Sequence, residues 1–112
     1  MRKRLKDSDI YDQLAAKGEL AQDYLNVGDP KQAINAAESG MNLEAHGSDS
    51  VRRKVSLMDR LAQAYFGDHD YQKSADMLKQ AAVLSRENKF DCADDLEKGE
   101  KEVASLANGA RH

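Results

Sequence analysis

One pentapeptide pattern occurs twice in the chain, and it constrains the fold more than any other feature. Leu20-Ala21-Gln22-x-Tyr24 returns as Leu61-Ala62-Gln63-x-Tyr65, a shift of 41 positions. The same shift carries Asp29 onto Asp70, Ala33 onto Ser74, Gly40 onto Ala81 and Leu43 onto Leu84. A fixed period of this size means that one supersecondary unit is used twice and that the two copies stack to bury a shared core.

The punctuation gives the unit its shape. In Asn26-Val27-Gly28-Asp29-Pro30, Gly28 can take the left-handed conformation that ends a helix. Asp29 can cap the next helix, and Pro30 suits its first position, where a missing N–H costs nothing. Later breaks fall at His46-Gly47-Ser48-Asp49-Ser50, where Gly47 stops a helix, at Gly67-Asp68-His69-Asp70, and at Asn88-Lys89-Phe90-Asp91. Asp70 and Asp91 are the expected caps at the last two. Five helices are therefore predicted, at about 9–27, 30–45, 50–67, 71–88 and 91–107. Apolar residues recur at helical spacing within them. Val51, Val55, Met58, Leu61, Ala62, Tyr65 and Phe66 mark the third, and the narrower stripe Cys92, Leu96, Gly99, Val103 and Leu106 marks the last. Strand patterning is lacking.

At these residues the chain resembles the tetratricopeptide repeat family. That family's signature is a Leu-small pair, a Tyr three residues after the small residue, and a small residue on the second helix. Leu20-Ala21-x2-Tyr24 with Ala33 fits, as does Leu61-Ala62-x2-Tyr65 with Ser74. The resemblance covers roughly residues 14–88. It departs in three ways. Lys17 and Met58 stand where the family has tryptophan, the closing proline is missing from both repeats, and the period is 41 rather than the usual 34. About seven extra residues per unit are expected to lengthen helices two and three and their connection. The resemblance implies an all-α, TPR-like helical repeat of two antiparallel helix pairs plus a C-terminal capping helix. Residues 1–8 form a basic tail and 9–108 one domain: repeat one 9–47, repeat two 48–89, and the capping helix 91–107. Tyr24 and Tyr65 are expected to be largely buried beside Ala21 and Ala62.

Charge and cysteine content narrow the function. The net charge is −3; Arg2, Lys3, Arg4 and Lys6 place +4 in the first six residues. An acidic chain makes nucleic acid an unlikely partner, although the basic start and Arg52-Arg53-Lys54 leave a regulatory subunit of nucleic-acid machinery as an alternative. Cys92 is the only cysteine, so no intramolecular disulfide forms, which fits a reducing, cytoplasmic setting. No apolar run follows the basic start and none reaches about 18 residues, so neither a secretory signal nor a membrane span is expected.

No catalytic constellation stands out, so an enzyme is not expected and neither is a cofactor. His46, His69 and His112 lack helical ligand spacing, and Asp68-His69-Asp70 reads as a capping loop rather than a metal site. The expected function is a protein- or peptide-binding adaptor or scaffold. In stacked helix pairs the first helix of each pair lines the concave face. The candidate partner-binding residues are Gln22, Leu25 and Asn26 in repeat one and Asp59, Gln63 and Phe66 in repeat two, with Gly18 and Met58 flanking them. The other reading is a self-assembling structural module, a homodimer, because two repeats are few for a stable stack.

Overall fold

A computed structural model describes residues 7–109, with backbone alone for Asp7 and Ser8. The basic residues Arg2–Lys6 lie outside the described residues. The protein is all-helical: α1 (Asp7–Asn26), α2 (Pro30–Glu38), α3 (Ser48–Gly67), α4 (Tyr71–Glu87) and α5 (Ala93–Gly109). α1 packs on α2 and α3, α2 on α3, α3 on α4, and α4 on α5. The body is elongated, measuring 53 × 31 × 24 Å.

Three of the connections share one geometry. After α1 the Asp29 N–H donates to Tyr24 O at 2.8 Å; after α3 the Asp70 N–H donates to Tyr65 O at 2.8 Å; after α4 the Phe90 N–H donates to Ser85 O at 2.8 Å. The residue before each donor is left-handed: Gly28 (φ 77°), His69 (φ 63°) and Lys89 (φ 58°). This is the six-to-one helix stop that satisfies a terminal carbonyl. Asp29 Oδ1 then accepts from the Gln32 N–H, and Asp70 Oδ1 from the Lys73 N–H, both at 3.2 Å. Turn and cap thus recur at the 41-residue shift.

The small residues close the contacts. Ala21, Ala33, Ala62 and Ser74 are buried, and the Ser74 hydroxyl satisfies itself on Ala62 O at 2.7 Å. α3 is the spine between two cores. Its Leu57, Leu61 and Ala64 face Ile10, Leu14, Ala33 and Ala37. Its Val51, Val55, Met58 and Ala62 face Leu78, Ala81, Ala82, Phe90 and Leu96.

Several expectations need correction. The second helix was expected to reach 45, but α2 stops at Glu38. Ser39 turns its hydroxyl back onto Ala36 O at 2.6 Å, and residues 40–43 continue in tighter turns, with Gly40 N–H on Ala37 O and Met41 N–H on Glu38 O. The extra length of the repeat lies in this connection and in α3. Gly47 does not end a helix; with φ 84° it is the N-cap of α3. The last helix starts at Ala93, two residues late, because Asp91 and Cys92 form a turn first. The domain's first helix begins at Asp7 rather than residue 9. Tyr24 and Tyr65 are partly buried rather than largely so, packed at the rim of the first core. A buried phenol needs a partner for its O–H; Tyr65 meets this by reaching outward to Glu38 Oε1 at 2.6 Å.

Candidate functional site

The site is built on α3, with α1 on one side and α4 and α5 on the other. Asp59, Gln63 and Phe66 lie three and four residues apart and so share one helical face. Together with Leu25 of α1, Ala62, Ser74 and Leu78 beneath, and Val103 of α5, they line an open groove of about 350 Å³. That volume is at the small end of the range for ligand pockets, about 300–1,000 Å³.

Four of the six candidate residues therefore meet in one place: Leu25, Asp59, Gln63 and Phe66. Gln22 and Asn26 do not line the groove. They sit one turn apart on the rim of α1 and bond to each other, Gln22 Nε2 to Asn26 Oδ1 at 2.9 Å. Gly18 and Met58 are corrected as well. Gly18 is buried under Arg60, whose Cδ and Nη1 lie 3.9 Å from where a Cβ would be. Met58 is buried in the second core. Val103, Ser74 and Leu78 line the groove without having been proposed. The sequence marks Ser74 as the small residue of the second repeat's helix pair and Val103 as part of the last helix's apolar stripe. The signal for Val103 was the chain order: α5 follows α4 as α3 follows α2, so it too presents a face to the groove.

The groove's chemistry is uneven. Phe66 is 42% exposed, steadied by an edge-on contact with Tyr71 at 5.2 Å between ring centres. Asp59 is half-buried. Burial pushes its carboxyl above the ordinary 3.8, against a weaker opposing pull from Gln63 and Arg60. Gln63 Nε2 reaches Asp59 Oδ2 at only 3.4 Å. Among the described residues no basic side chain comes within 4 Å of Asp59. The site thus pairs an exposed ring with a carboxylate that makes no direct ion pair among the described residues.

A larger groove, about 480 Å³, opens between the 39–47 connection, α3 and α4, and is lined by Ala45, Val51, Lys54, Lys79, Val83 and Glu87 among others. One of its polar groups is already engaged, Lys54 Nζ donating to Leu43 O at 2.8 Å. The neighbouring basic residues are divided too. Arg52 lies 4.2 Å over the Phe90 ring, and Arg53 donates from Nε and Nη2 to the Tyr11 hydroxyl at 3.0 and 2.9 Å. The run Arg52-Arg53-Lys54 is thus spread over three directions and makes no single basic patch. No helix among the described residues is long and apolar enough to cross a membrane.

Compared with family models, with curated proteins and with solved structures, the chain matches none.

Proposed function

We propose that this chain is a TPR-like module of two long repeats that holds a protein or peptide partner in the groove between α1, α3 and α5. The observation that carries the reading is the convergence of Leu25, Asp59, Gln63, Phe66 and Val103 on one open groove. The two-repeat reading is supported by the matching turns and caps at Asp29 and Asp70 and by the matching burial of Ala21 with Ala62 and Ala33 with Ser74. An exposed aromatic supplies an anchor, and side-chain amides on the rim can meet a peptide backbone.

The test is a pair of variants measured for stability and affinity together. Phe66→Ala, and Gln22→Ala combined with Gln63→Ala, remove groups that the core does not use. Melting should stay close to that of the parent. Affinity for a peptide selected from a randomised library should fall about tenfold for each, equivalent to roughly 1.4 kcal/mol. Unchanged affinity in both would place the binding surface elsewhere.

A second reading, self-association, has one observation of its own. Leu20 is 46% exposed, whereas Leu61, its counterpart in the repeat, is fully buried. Leu61 packs in the first core with residues of α1 and α2; no helix among the described residues covers Leu20 in the same way. Light scattering across a concentration series, on the parent and on Leu20→Lys, tests this reading: a dimer that the variant abolishes would support it.

A further inference from the structure

We infer that the groove takes a basic side chain of the bound peptide, Lys or Arg, with its charge on Asp59 and the peptide's adjacent apolar residue on Phe66, Leu25 and Val103. The inference rests on the groove being the peptide site.

The argument is one of charge complementarity. Asp59 is the only ionisable side chain among the groove's lining residues. Its neighbour Arg60 offsets it only weakly and makes no ion pair with it, because Arg60 runs across Gly18, with Nη1 toward Ser56 O at 3.5 Å. The one polar contact of Asp59, from Gln63, is long at 3.4 Å and uses Oδ2, leaving Oδ1 open. Any peptide that fills the groove must strip water from this carboxylate. A neutral or apolar filler would leave a desolvated charge with nothing to offset it, and an acidic one would set like charges together. A basic side chain removes the cost instead. Its apolar stem suits the floor of Ala62 and Leu78, and its tip reaches the carboxylate at the rim. Phe66 beside it offers a ring face that also favours a cation. α5, whose Val103 lines the groove, adds a background of the same sign, with Asp94, Asp95, Glu97, Glu100 and Glu102 against two lysines; of these carboxylates, Arg86 already pairs Asp94 and Glu97.

The experiment selects peptides from a randomised linear library against the full chain, then titrates the enriched peptides against Asp59→Asn, Asp59→Lys and Phe66→Ala. Enriched peptides should carry Lys or Arg next to a large apolar residue. Affinity should drop about tenfold or more in Asp59→Asn and be lost in Asp59→Lys. It should return in Asp59→Lys when the peptide's basic residue is changed to Glu. Thermal melts of each variant establish that it is folded. Peptides that lose affinity in Phe66→Ala but are indifferent to Asp59→Asn, and that lack basic residues, would overturn the inference and leave the groove standing as the site. Peptides indifferent to both Phe66→Ala and Asp59→Asn, or no enrichment at all, would overturn both.

Discussion

A carboxylate that loses water without gaining a cation costs folding stability, and Asp59 is in that position. Its folded pKa is raised above 3.8, chiefly by burial. Its contribution is therefore fully present below 3.8 and is lost as pH rises through the raised value. Arg60 and Gln63 on its own helix oppose the shift; Ser74, Leu78 and Val103 on the facing helices bring no charge. Asp59→Asn should accordingly melt higher than the parent at neutral pH and lose that advantage below pH 3.8. Parallel melts at the two pH values check this, and an equal or lower melting point at neutral pH would contradict it. Tyr65 gives a second titration. Burial, then the hydrogen bond to Glu38, push its phenol up to about 12. As pH climbs from 10.0 toward 12 the folded state gives up the stability that the protonated phenol supplied. An absorbance titration should find one of the four tyrosines ionising near pH 12, and Tyr65→Phe should remove that step. Truncating either motif tyrosine to Ala should cost about 2 kcal/mol, less than the 3–5 typical of a fully buried large aromatic, because the rings sit at the rim.

At the level of the helices, much could be read from the sequence where a rule is local. Gly28-Asp29-Pro30 and Asp70 announced their turns because a left-handed stop and a carboxylate cap need only neighbouring residues. Asp29→Ala and Asp70→Ala should each cost about 1 kcal/mol in denaturant unfolding. What the sequence did not disclose depended on contacts between helices. Helical spacing of apolar residues carries the second helix through to 45 in the sequence, yet Ser39 bonds back to Ala36 and the chain tightens at Gly40. The reason for Gly40 lies in the third dimension. A Cβ there would stand 2.5 Å from Leu57 Cδ2 and 3.0 Å from Lys17 Cδ, and Leu57 is fully buried with no room to retreat. Gly40→Ala should therefore destabilise by about 1–3 kcal/mol, as overpacking does, whereas Gly109→Ala, with open space around it, should not. The same limit applied to the groove. Spacing placed Asp59, Gln63 and Phe66 on one face of α3, but Val103 entered only through the way α5 folds back on α4.

On the scale of the molecule, two cores share one central helix, and the open ends of the stack differ. The α1 end leaves Leu20 and Val27 exposed, while the α5 end leaves Leu106 exposed among small and polar residues. Between them the faces of α1, α3 and α5 form a groove that combines an exposed ring, a side-chain amide and an unpaired carboxylate. If this groove holds the partner, binding should leave its mark there and nowhere else of comparable size. The most direct measurement is the change in backbone amide shifts on titrating a library-selected peptide into the labelled chain. The largest changes are expected at Leu25, Asp59, Gln63, Phe66 and Val103. Changes centred instead on Lys54, Lys79, Val83 and Glu87, or on the outer face of α1 around Leu20 and Val27, would contradict the assignment of the binding surface.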